Sequence, residues 1–193
     1  MLRKNLALTF LVTFLIMNEY SFLKAEELTE MEVKKIAKGA IGNIGGKLKH
    51  TLMQKVKKDG FASAADFCST EAGNLAKEAT KSLPSGVTVK RITNNPRNIL
   101  NKASNEDSKI LSLMNTNVKE GKTSSMVIKK IATNHYKVYK PIVMGGKCLN
   151  CHGDSNTRNK EAYNIIKQKY PNDKAIGYKK GDFRGAFLVE IKR

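Results

Sequence analysis

Two thiols and an imidazole fall within five positions at Cys148-Leu149-Asn150-Cys151-His152, in a chain that has only three cysteines and three histidines. Cys-x-x-Cys-His is the attachment signature of c-type haem. Thiols three positions apart reach the two vinyl groups on one edge of a porphyrin, and the adjacent imidazole then lies under the iron as proximal ligand. Three other uses of these residues compete. A structural zinc site could draw on Cys68, Cys148, Cys151 and His152, but adjacent Cys and His rarely both ligate one tetrahedral ion. A thioredoxin-like pair sits at the start of a helix after a strand, whereas Gly153-Asp154-Ser155-Asn156 is loop material. A disulfide closing so small a loop is strained. The spacing therefore predicts one covalent haem c, held by Cys148 and Cys151 with His152 on the iron.

The sixth iron position needs a second ligand. Once Cys148 and Cys151 are thioethers, Cys68 is the odd cysteine, and a thiolate is a competent haem ligand. A buried Cys is also a common small hydrophobe. His135, His50 and the seven methionines are rivals. His135 lies near a hairpin turn leading toward the cluster, and His50 sits in a Lys-rich helix where a solvated role is expected. Taken alone, the residues leave Cys68 and His135 comparable. Arg91 and Arg97 flank an Asn-Pro turn, and a guanidinium can grip a carboxylate with two parallel hydrogen bonds. Both are candidates to hold haem propionates.

These groups must be positioned by a small fold. At 193 residues and 40% hydrophobic content the chain supports one ordinary core. Residues 1–25 read as a signal peptide: a basic start, a twelve-residue apolar run at 6–17, and Ala25 before two glutamates. That run is shorter than the roughly 20 residues that span a bilayer. Export with cleavage is the expectation, leaving residues 26–193 as a single periplasmic domain; the alternative is an uncleaved N-terminus anchored in the inner membrane.

Thr29 and Glu32 form a capping box before apolar residues at helical spacing, from Val33 to Val56, and this predicts a long helix closed by Gly60. Gly39, Gly42, Gly45 and Gly46 suggest a bend in it or the close approach of another backbone. A second capping box, Ser63 to Asp66, opens a helix whose stripe turns Cys68 inward. Further on come a strand at 86–92, a helix capped by Ser104, a hairpin around Thr133-Asn134, a short helix ending before Pro171, and a terminal strand. Helices followed by strands with interspersed helices predict an α+β domain around an antiparallel sheet.

Net charge is +18. In an exported protein with scattered lysines and no interleaved aromatics, this is not a nucleic-acid surface. It is a solvated face, with the capacity to steer an acidic redox or signalling partner or to support peripheral contact with anionic lipid. Nothing in the composition specifies the oligomeric state.

Three stretches together resemble a known family. They are "AADFCSTEAGNLA" around Cys68, "VKRITNNPRNILNKASNEDSKIL" with its Arg, Arg-Asn and acidic positions, and "DKAIGYKKGDFRGAFLVEI" at the end. With Cys-x-x-Cys-His between the second and third, the order is similar to that of the Tll0287-like (DUF3365) group of c-type haem proteins. The resemblance implies a PAS-like antiparallel sheet flanked by helices, one covalent haem, and His152 with Cys68 as axial ligands, which lifts Cys68 above His135. The chain departs from the pattern at Ile99-Leu100, which follow Arg97-Asn98. The expected function is that of an exported monohaem cytochrome in redox or gas sensing or in one-electron transfer. The alternative is a haem enzyme, peroxidase-like or reducing nitrogen oxides, with an open or vacated iron site.

Overall fold

The structure, a computed structural model, describes residues 26–122 and 126–193; the expected signal peptide lies outside them. The expected capping box is present: the Thr29 hydroxyl accepts from the Glu32 N–H, and the Glu32 carboxylate accepts from the Thr29 N–H at 2.8 Å. It opens α1 (Glu30–Ile41), which runs through one widened turn at Gly42–Gly46 into α2 (Lys47–Thr70), so residues 30–70 form one long helical rod. The glycines at the widened turn do admit a close approach, but of a side chain: a Cβ at Gly45 would lie 2.8 Å from the tip of the Phe187 ring.

Gly60 leaves helical geometry at φ 79°, as expected of a breaker, yet the helix resumes beyond it. A single glycine at positive φ redirects the chain without a new cap, so the Ser63–Asp66 box is not used and Ser63 lies inside α2. A second break at Glu71 separates α3 (Ala72–Lys81).

The sheet contains β1 (Val87–Ile92), β2 (Val127–Ala132), β3 (His135–Val143) and β4 (Phe183–Lys192) in the order β1-β4-β3-β2, each neighbour antiparallel. This is the α+β, PAS-like arrangement. Strand alternation decides what each face carries. On one face Val87, Tyr136, Val138, Val189 and Ile191 pack against Val33, Ala37 and Ala40 of α1. On the other, Ile92, Tyr139, Ala186 and Leu188 meet Leu111 and Met114 of α4 (Asn105–Lys119), which Ser104 caps as expected. The central strand β4 is apolar on both faces because it is covered on both.

Past the α1 core, the first face continues with Arg91, Phe187 and Lys140 in cross-strand register. Beyond β3 the chain makes a tight turn at Gly146–Cys148, a helical turn α5 (Leu149–His152), and α6 (Lys160–Lys169). The C-terminal half of α2 packs on α6 through Ala65, Ala162 and Ile166, with Cys151 against the same cluster. Among the described residues no helix is long and apolar enough to cross a membrane.

Candidate functional site

Cys148, Cys151 and His152 occupy positions i, i+3 and i+4 of one helical turn, so the two sulfurs and the ring leave from one face. The turn is pinned from outside. The N–H groups of Gly177 and Tyr178 donate to the carbonyls of Gly153 and His152 at 2.9 and 3.0 Å, and the Gly181 N–H donates to the Met144 carbonyl at 2.9 Å.

Cys68 reaches the same place through helix packing. It lies one turn after Ala65, whose side chain shares a buried cluster with Cys151. The apolar stripe predicts that Cys68 faces inward; instead Ala64, Ala65 and Phe67 take the buried positions and Cys68 is exposed at their margin. Enough protein surrounds the thiol for burial to push it above its ordinary range, with the Arg91 and Arg97 charges pulling the other way. Burial also pushes the Cys151 thiol up to about 11, opposed by Arg97, with Cys68 and Cys148 adding to the rise. No two of the three cysteines are joined in a disulfide.

His152 is held by its inner nitrogen. Nδ1 lies 2.7 Å from the Ala175 carbonyl, which can only accept, so Nδ1 carries the proton. Nε2 keeps its lone pair and has no hydrogen-bond partner among the described residues. Burial, then Arg97 and Arg184, press the imidazole pKa down to about 3. The ring is therefore neutral near pH 7, as a metal ligand must be. Tyr178 stands edge-on to it with centroids 6.3 Å apart.

Arg97 knits this side of the site together. Its Nη2 donates to the Cys151 carbonyl at 2.6 Å and lies 3.5 Å from the Ala175 carbonyl; its Nε donates to Asp173 Oδ2 at 3.0 Å. Asp173, whose side chain is 1% exposed, also accepts the Ala175 N–H at 2.8 Å. The Nη2 and Nδ1 atoms, 3.3 Å apart, are both donors. Their contact is a charge beside a ring and not a hydrogen bond.

Arg91 is exposed on the continuing sheet face, next in register to Phe187. Arg184 and Tyr178 went unnoticed as site residues in the sequence, although both stand in the closing "GYKKGDFRG" stretch. Arg184 donates through Nη1 to Thr93 Oγ1 and the Asn95 carbonyl, and its Cζ lies 5.6 Å from the Tyr178 ring centre. The charges of Arg97, Arg184 and Arg91 thus all act on His152, and Asp173 pairs with Arg97.

His135 is not part of this gathering. It begins β3 and pairs with Glu190 at 2.7 Å, while the Cys/His turn follows the strand's other end, about 26 Å away at strand rise. His50 is exposed on α2. Ile99 and Leu100 form a short turn started by the Asn98 side chain, and both are largely exposed. Among the described residues no group of three or more His, Cys, Asp or Glu side chains is arranged to close on a metal ion, the geometry that a zinc site needs.

The Tll0287-like family model matches residues 17–192. The chain belongs to this family. The crystal structure of the cyanobacterial heme-protein Tll0287 is similar to it, with a TM-score of 0.59 at 23% identity, over 86% of this chain and 98% of that one. At that identity the likeness speaks for the fold. No curated protein matches the sequence.

Proposed function

We propose that this member of the Tll0287-like family is an exported monohaem c-type cytochrome that serves in redox or gas sensing or passes single electrons. The carrying observation is that helix packing brings together the Cys-x-x-Cys-His turn, a neutral imidazole with its Nε2 unpartnered, and the Cys68 thiol. The donor set fits haem: two thiols for thioethers, one nitrogen and one sulfur for the iron, and an excess of guanidinium over carboxylate suited to a dianionic porphyrin. Cys148 and Cys151 would hold the macrocycle, His152 and Cys68 the iron, and Arg91 a propionate. Arg97, with Nε and Nη2 already occupied by Asp173 and Cys151, has only Nη1 left for that task.

Haem bound there would supply a one-electron iron couple, and a Cys68 thiolate on the iron would stabilise the ferric state and lower its potential. That favours sensing or a specialised low-potential role over bulk transport. Catalysis by an open iron would require distal acid–base groups, and the two other histidines, His50 and His135, are set apart from the cluster. We place the protein in the periplasm, where its positive charge would guide an acidic partner protein or hold it near anionic lipid.

The test is visible absorption of the protein produced with cytochrome c maturation machinery, oxidised and reduced, beside Cys68→Ala. A low-spin thiolate spectrum in the oxidised wild type that the variant loses is the expected result. Identical spectra would remove Cys68 from the iron, and a protein without covalent haem would end the reading.

A further inference from the structure

We propose that Arg97 is a positioning residue for His152: its charge, fixed beside Nδ1 by Asp173 and the Cys151 carbonyl, limits how far the imidazole leans toward imidazolate and so raises the potential of the iron couple. The inference rests on the haem reading above. A ligating histidine that donates its other N–H to a carbonyl gains basicity and favours the oxidised metal. Here the carbonyl is that of Ala175, at 2.7 Å. Arg97 opposes that effect twice: its Nη2 stands 3.3 Å from Nδ1, and the same Nη2 lies 3.5 Å from the Ala175 oxygen, drawing on the lone pairs that the ring would use.

Arg97 is held in this place. Its side chain is 14% exposed, and Asp173 beneath it is 1% exposed, so solvent screens the pair weakly. Asp173 also fixes the Ala175 N–H, and Arg97 fixes the Cys151 carbonyl. The device therefore joins the haem-attachment turn and the loop that orients the ligand. Its electrostatic part is separable by sign from its structural part. Loss of Arg97 removes positive charge and should favour ferric iron; loss of the Asp173 charge should favour ferrous iron. A merely structural role would loosen the same loop in both variants and shift both the same way.

The experiment is a spectroelectrochemical titration of the purified haem-loaded protein, with covalent haem verified by mass, for wild type, Arg97→Gln, Arg97→Lys and Asp173→Asn. Arg97→Gln should move the oxidation equilibrium about tenfold toward ferric, about 59 mV for one electron. Asp173→Asn should move it the opposite way, and Arg97→Lys, which keeps the charge, should stay within about threefold of wild type. Shifts of the same sign in Arg97→Gln and Asp173→Asn, or shifts under about twofold in both, overturn the proposal while leaving the haem reading intact. If Arg97→Gln does not load, the direction in Asp173→Asn decides, a fall overturning it. A wild type without haem overturns the haem reading, and this inference with it.

Discussion

Removing one hydroxyl from Tyr139 should loosen α4 from the sheet by a predictable amount. Asp107 in the first turn of α4 is 4% exposed, and Tyr139 on β3 is 1% exposed. The phenol donates to Asp107 Oδ1 at 2.8 Å, Ser104 donates to Oδ2 at 2.8 Å, and Lys137 reaches Oδ1 at 3.3 Å. Burial by itself would raise the Asp107 pKa, but the bonds from Ser104 and Tyr139 and the Lys137 charge win and lower it below the ordinary 3.8. A hydrogen bond to a charged acceptor is worth about 1.5–3 kcal/mol, and a neutral one about 1 kcal/mol. Tyr139→Phe should therefore cost about 2 kcal/mol at pH 7. The sign with pH follows from linkage: a carboxyl with a depressed folded pKa stabilises above its unfolded value and loses that stabilisation as pH falls through the folded one. Below pH 3.8 the cost of Tyr139→Phe should shrink toward about 1 kcal/mol as Asp107 protonates. Urea unfolding followed by circular dichroism at pH 7 and in acid measures both values. A cost under about 0.5 kcal/mol at pH 7, or one that grows in acid, would refute the reasoning, since the bond would then be neither charge-assisted nor buried in effect.

Three further outcomes are expected. Gly86→Ala should be strongly destabilising, by about 2 kcal/mol or more, because Gly86 sits at φ 74° and a Cβ there would lie 1.9 Å from the Lys192 carbonyl; urea unfolding checks it, and a loss below about 0.5 kcal/mol contradicts it. Replacing Cys148 with Ala should leave at most one thioether, read as an intact-mass change and a shifted reduced absorption band; unchanged covalent haem would move attachment elsewhere. Binding to vesicles containing anionic lipid, measured by sedimentation, should be present near 20 mM salt and largely lost near 500 mM, where the screening length falls to about 4 Å; binding that survives would mean that charge is not what holds the protein there.

Local signals carried much of this protein in its sequence. The Thr29 and Ser104 caps, the alternation that makes β1 a strand, and the Cys148-x-x-Cys151-His152 spacing all act over a few residues, where backbone geometry alone decides which groups share a face. Gly60 was legible as a break but not as a kink within a continuing rod, because the resumption of α2 depends on its packing against α6. How Cys68 comes close to Cys151 is set by the tertiary structure. Cys68 is 83 residues earlier than Cys151 and arrives there because Ala65, one turn before it, is buried against Ala162 and Ile166. His135, much closer along the chain, is carried away by the full length of an extended strand. Arg97 was legible only as a propionate candidate beside the Asn-Pro turn, and no spacing ties it to Asp173 and Ala175. They become one network because the 173–178 loop folds over the Cys/His turn, where a buried carboxylate and a buried guanidinium each need a partner that has left water.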